Sequence, residues 1–421
     1  MSESNTGTNE NSENAAKSAN FKRLPVWEFI CIIAGLMALN ATAVDIMLPA
    51  LGDIQNTFQF EDDNQRQKMV IVYLMGMGLS QIFYGPLIDR FGRKPILAIS
   101  LSIYVLASIA CLFAPAYSLL IFARAIQGAA AGATRVVAAA VTRDCYTGRA
   151  MAEIMSVVML IFMAAPILAP SIGEGILYLF GDWRSIFWAL VVLGSAMLIW
   201  SWIRLPETLA PEDKRLLQPK VIFSSYKTVV TNRLAIGYSM ASALIFGTLF
   251  GYISASEQIY SETFDKAATF ALWFAGVSAG MAVSNLLNSR LVKKLGMRFL
   301  SHWALIFMVC VNVLHAIISH SGNEDFAVFY VLMIASFICI GFIGPNFSAT
   351  AMEPLGHVAG TASALYGFAT TFLAAVIGGF IADHYDGTLG PLFVANAVCL
   401  LLALGIILIT ERGRLFKRGE V

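Results

Sequence analysis

Twelve stretches of mainly apolar residues follow one another along this chain, and each is long enough for a helix to cross a bilayer, which takes about 20 such residues. They lie near residues 26–51, 67–88, 95–115, 117–142, 152–180, 184–203, 234–256, 267–288, 300–319, 326–350, 358–382 and 388–410. Of the 421 residues, 58% are hydrophobic and only 13% charged, against about 45–50% and 25% in a soluble domain. So few charges cannot cover a globular surface in water. The spacing predicts an all-α membrane protein of twelve transmembrane helices. Residues 1–25, rich in Ser, Asn and Glu, read as a polar disordered tail rather than a cleaved signal peptide.

Charge orients the bundle. With an even number of spans both termini share one side. If that side is the cytoplasm, 22 of the 28 Lys and Arg fall in inside segments. Arg66, Lys68, Arg184 and Lys266 lie outside, and Arg124 and Arg135 lie within the fourth span. The acidic groups around Asp62, Asp325 and Asp383 also fall outside. The positive-inside rule therefore puts the termini in the cytoplasm of an inner, or plasma, membrane. The polar stretch after the sixth span divides the chain into a bundle over 26–204, a central cytoplasmic loop over 205–233, a second bundle over 234–410 and a tail over 411–421.

The two halves repeat. The loop Gly85 to Lys94 after the second span matches Ser289 to Arg298 after the eighth at an offset of 204 residues, with Leu87 and Gly92 recurring as Leu291 and Gly296. Asp89 is replaced by Lys293. A weak repeat at half-chain length suits transporters built from two parallel halves.

With these features the chain resembles the major facilitator superfamily over essentially its whole length. Gly85 to Lys94 is similar to that family's loop between helices 2 and 3, Arg124 to Gly128 to its helix-4 motif, and Ala165 to Gly173 to the helix-5 motif of drug/proton antiporters. Asp45 to Leu51, Arg143-Asp144, Asp182 to Phe187, Leu205 to Leu209, Gly344 to Asn346 and Glu353 to Gly356 resemble the bicyclomycin and chloramphenicol efflux (Bcr/CflA) branch. The resemblance implies two pseudo-symmetric six-helix bundles. It also implies a gating loop at Gly85, Asp89, Arg90, Gly92, Arg93 and Lys94, which closes the cytoplasmic side by pairing and by capping a facing helix. Gly85 would let helix 2 approach a neighbour closely. Pro166 and Pro170 remove backbone donors and, with Gly173, make helix 5 a bendable hinge; Glu174 stands where the family keeps a second glycine.

Buried charge is the sharpest signal. A charge at the bilayer centre costs roughly 2.5–3.5 kcal/mol on insertion scales, so it faces a cavity or a partner. Asp45 and Arg124 both fall about 10 Å to the outer side of the midplane, counted at 1.5 Å per residue, and in the family both helices line the central cavity. Burial favours a neutral carboxyl and a guanidinium favours a charged one, so the pair can load and unload a proton. A purely structural salt bridge is the alternative. Arg135, eleven residues after Arg124, shares its helix face; it either lines the cavity or extends to the inner interface. Asn40, Gln127 and Asn346 complete the candidate cavity. Glu28 and Glu257 read as interfacial, and His315 as a packing residue.

Other chemistry finds little support. Gly276 to Gly280 fits a hydrolase nucleophile pattern but lies inside an apolar helix. There is no phosphate-binding loop for an ATP-driven pump, no zinc spacing among the histidines or the six cysteines, and with a net charge of +1 no basic stripe for nucleic acid. The expectation is a non-enzymatic, proton-coupled antiporter of bacterial type, a monomer needing no cofactor beyond the proton gradient. Its partners are protons, the lipid bilayer and small, mostly apolar organic solutes such as drugs, exported by alternating access. A metabolite or siderophore transporter on the same scaffold, even an importer, stays open. A membrane receptor or enzyme would need a soluble domain or a catalytic constellation, and the sequence offers neither.

Overall fold

The computed structural model describes residues 24–60, 62–146, 148–214, 218–322 and 325–416. Most of the expected N-terminal tail thus lies outside the described residues. Among these described residues twelve long helices carry the fold: α1 Val26–Asp45, α2 Lys68–Phe91, α3 Arg93–Leu112, α4 Tyr117–Cys145, α5 Gly148–Phe180, α6 Arg184–Arg204, α7 Arg233–Gln258, α8 Phe270–Leu295, α9 Met297–His320, α10 Phe326–Met352, α11 Ala359–Asp383 and α12 Gly390–Thr410. Helices close their own backbone hydrogen bonds, which hydrocarbon cannot do for them. Among the described residues, eleven helices are long and apolar enough to cross a membrane. The twelfth, α4, is the one rich in Ala and Gly that also carries Arg124 and Arg135. Its small residues are needed for packing rather than for contact with lipid.

Local signals set the helix ends. Pro49 sits in a 3-10 turn, Leu48–Ala50, that follows α1 and leads into a short helix, Leu51–Phe58. Asp325 caps α10 through the Ala327 amide, and Asn232 caps α7 through those of Leu234 and Ala235. A π-turn at Ala369–Leu373 widens α11 in mid-span, against Gly78 of α2. A Cβ on Gly78 would stand 2.2 Å from the Phe372 nitrogen.

Within the first half α1 packs on α5, α2 on α4, and α3 on α4 and α6; within the second, α7 packs on α11, α8 on α10 and α9 on α12. The halves meet along α2–α11 and α5–α8. In lipid, helix association depends on close backbone approach, which small residues permit. The repeat is visible at this level. A Cβ on Gly132 of α4 would meet Ser80 Oγ at 2.2 Å and the Met77 carbonyl at 2.8 Å. One on Gly341 of α10 would meet Ser284 Oγ at 1.9 Å and the Met281 carbonyl at 2.7 Å. Ser80 and Met77 map onto Ser284 and Met281 at the offset of 204 found in the sequence. Gly92 and Gly296 obey the same offset, and both turn the chain at positive φ, 102° and 87°.

The central loop is not all irregular: Pro219–Thr231 is helical. The Tyr226 hydroxyl of that helix donates to the Ile82 carbonyl of α2 at 2.8 Å. Burial pushes the phenol up to about 12, so it remains a donor at neutral pH.

Candidate functional site

The expected ion pair does not form. Asp45, at the end of α1, is 4% exposed, and its carboxylate accepts no hydrogen bond and joins no ion pair among the described residues. Arg124 is fully buried close by. Its Nη2 donates to the Ala43 carbonyl at 3.3 Å, its Nε to the Met69 carbonyl at 3.2 Å and its Nη1 to Gln127 Oε1 at 2.6 Å. The guanidinium also lies 4.4 Å over the Tyr73 ring. Carbonyls of α1 and α2, at Ala43 and Met69, satisfy the cation in place of the carboxylate. Gln127 is turned the same way, donating to Ser108 Oγ at 2.7 Å. It knits α4 to α3 and does not line a cavity.

Asn346 is also a packing residue. It is 2% exposed and its amide donates to Asn288 Oδ1 at 2.8 Å and the Phe342 carbonyl at 2.9 Å, joining α10 to α8. Asn40 donates to Thr134 Oγ1 at 2.8 Å while its buried Oδ1 has no partner. Arg135 is exposed, although it lies in mid-helix. The His315 ring lies against Phe329 and Phe393.

The loop between α2 and α3 is built into the first half. Asp89 meets Arg93 at 3.2 Å, one turn on, and Arg93 Nε meets Asp144 Oδ2 of α4 at 3.0 Å. Thr208 Oγ1 donates to the same Asp144 oxygen at 2.7 Å. The helix cap comes from Glu207, which accepts from the amides of Arg93 at 3.0 Å and Lys94 at 3.1 Å. Asp89, expected to cap a facing helix, does not. Gly92 is required here, because a Cβ would fall 2.4 Å from the Glu207 carboxylate. Lys94 Nζ lies 4.9 Å over the Trp202 ring, and Arg90 has no ion-pair partner among the described residues. Gly85 differs from the expectation of close approach: a Cβ there would meet nothing within 4 Å. The close contacts of α2 come instead from Gly76 and Gly78.

Gly173 does sit at a tight contact. A Cβ would stand 2.1 Å from the Ile46 carbonyl, next to Asp45. Helix α5 runs unbroken through Pro166 and Pro170. Glu174 reaches across the halves and accepts from the Ala271 amide of α8 at 3.0 Å.

Sequence reasoning missed a cluster at the end of the bundle distal to the termini. Arg66, just before α2, is 4% exposed and bridges Glu257 at 3.0 Å and Glu262, both from the second half. Beside it Gln67 donates to Gln258 at 2.5 Å, and Asn64 donates to the carbonyls of Tyr385 at 2.8 Å and Asp383 at 3.1 Å. Every one of these bonds crosses between the halves. The available signal was a basic residue and two acidic ones on the same predicted side of different halves.

The sequence model of the Major Facilitator Superfamily matches residues 30–379. The chain is 26% identical to a bicyclomycin resistance protein homolog of Haemophilus influenzae, covering 89% of this chain and 94% of that one. It is 28% identical to multidrug resistance protein D of Escherichia coli, covering 87% and 92%. Its fold resembles the xylose transporter XylE of E. coli in a partially occluded inward-open conformation, at TM-score 0.73 and 12% identity, over 94% of this chain and 99% of the other.

Proposed function

The chain belongs to the major facilitator superfamily and is a transporter rather than an enzyme; on that premise we propose that it is a proton-coupled antiporter exporting small, mostly apolar organic compounds. Relatives named for bicyclomycin and multidrug resistance support the substrate class. The observation that carries the coupling is Asp45, a buried carboxylate with no cationic partner among the described residues, beside the Gly173–Ile46 contact where α5 rests on α1. A lone carboxylate in a membrane core is costly when charged. Its protonation therefore follows whichever side of the membrane it can reach, and a shift of α5 against α1 changes that access. Arg124 acts as a fixed structural cation beside it, and the 205–233 segment joins two bundles that rock as units.

The positive-inside asymmetry supports termini in the cytoplasm. In that orientation the cross-half bonds of Arg66, Gln67 and Asn64 close the outer side. The Asp89–Arg93–Asp144 network lies on the inner side, within the first half. In proteoliposomes, Asp45→Asn should abolish substrate movement driven by an imposed pH gradient while downhill equilibration continues. Undiminished gradient-driven transport by that variant would remove Asp45 from the coupling.

A further inference from the structure

Arg135 is the charged side chain that the arrangement above leaves unexplained. The lipid-facing edge of α4 is marked by Leu119, Phe122 and Ile126, which are 44%, 60% and 36% exposed. No large hydrophobic residue of α4 beyond Ile126 is exposed among the described residues. Arg135 follows Ile126 by nine residues, and nine steps of about 100° turn it to the opposite face. Its exposure, shared by Ala139 one turn on, is therefore exposure to the interior of the bundle and not to lipid. A guanidinium at that place would ordinarily hold a carboxylate or a set of carbonyls, as Arg124 does. Arg135 has no hydrogen bond and no ion pair among the described residues.

The surroundings come from both halves. Gly132, one turn before Arg135, rests on Ser80 of α2. Across the interface, Gly367 of α11 rests on Gln81 of α2, the residue after Ser80, so the α4 turn that carries Arg135 and the α11 turn that carries Tyr366 are held to consecutive residues of one helix. The Tyr366 hydroxyl shares one hydrogen bond, 3.0 Å, with Ser242 of α7. Two hydroxyls joined by one such bond keep one O–H free to donate elsewhere. A cation with five forked donors and a free hydroxyl donor thus converge where α2, α4, α7 and α11 meet.

We propose that Arg135, with the Tyr366–Ser242 hydroxyl pair, is an anion-recognising subsite that selects organic solutes bearing a carboxylate. The planar guanidinium matches the two carboxylate oxygens, a geometry a lysine ammonium cannot reproduce. The hydroxyl pair supplies a further donor from the opposite half, so an anionic solute draws the two bundles together as it binds. This deepens the transporter reading by naming a substrate class, and rests on it only for the solute-accepting cavity.

The test uses equilibrium binding to the purified full-length protein in detergent, with no proton gradient, so a failure of proton coupling cannot affect it. The probes are 2-naphthoate and its uncharged isostere 2-naphthamide, followed by titration calorimetry. Wild type should bind the carboxylate at least about tenfold more tightly than the amide, the scale of one charge-assisted hydrogen bond. Arg135→Gln should lose that preference and keep its amide affinity. Arg135→Lys should keep a reduced preference, and it carries the test if the Gln variant does not insert stably. No preference in wild type, including no binding of the carboxylate, or an unchanged preference in Arg135→Gln would overturn the proposal. So would a Lys variant that discriminates as well as wild type.

Discussion

The two ends of this bundle spend their polar side chains differently. At the distal end, Arg66, Gln67 and Asn64 of the first half bond to Glu257, Glu262, Gln258 and the 383–385 backbone of the second. At the end carrying the termini, the ion pairs close within one half. Asp89, Arg93 and Asp144 form one set, Arg204 and Glu28 another, and Arg298 with Glu353 and Glu411 a third. Bonds that join the halves must break when that end opens; bonds inside a half can persist through the whole cycle. In this structure the halves are tied to each other at the distal end, while at the other end the ion pairs tie each half to itself.

The largest expected effect comes from breaking the cross-half cation. Arg66→Ala would leave Glu257 and Glu262 without their shared partner, and losing one member of a buried pair costs about 3–5 kcal/mol. The distal-closed state should be depopulated by more than about a hundredfold, at 1.4 kcal/mol per factor of ten. Spin-label distances between positions 59 and 265 should lengthen, and an unchanged distribution would show that the cluster does not hold that end.

A second comparison sets the two halves against each other at repeat-related glycines. Gly92 and Gly296 both have positive φ, but a Cβ on Gly92 also meets Glu207, whereas one on Gly296 meets nothing within 4 Å. Both alanine variants carry strain of about 1–3 kcal/mol. Gly92→Ala should melt at the lower temperature of the two because it also displaces the α3 cap. Equal melting temperatures would mean that Glu207 contributes little to holding α3.

Asp89→Asn sharpens the contrast between the ends. Here Asp89 makes only a local contact, and Arg93 keeps Asp144 and the Ile88 carbonyl. The variant should lose no more than about 0.5 kcal/mol of stability, as for exposed i,i+4 pairs. If Asp89 seals this end in the opposite state, labels across it should shift toward longer separations under turnover. Smallest of all is Gly85→Ala, which fills open space and should leave the melting temperature unchanged within about 0.5 kcal/mol. A transport defect in that stable variant would show that α2 meets a neighbour there only when this end closes.

The sequence alone determined the twelve helices, their division into halves and the offset of 204 that pairs Gly92 with Gly296. Hydrocarbon imposes those features: it demands a minimum apolar length and internally satisfied backbone, and a duplicated half keeps its small-residue contacts in register. It also gave an expected depth for Asp45 and Arg124, because rise per residue is constant along a helix. Partners were another matter. Whether Arg124 meets a carboxylate or the carbonyls of Ala43 and Met69 depends on the rotation and packing of α1 and α2, to which a hydropathy pattern is blind. The same holds for Glu257, an interfacial acid by sequence, which becomes a link between the halves because the loop before α2 reaches it across the bundle. Depth is a one-dimensional property and can be read from the chain; pairing requires the other two dimensions, which tertiary packing supplied.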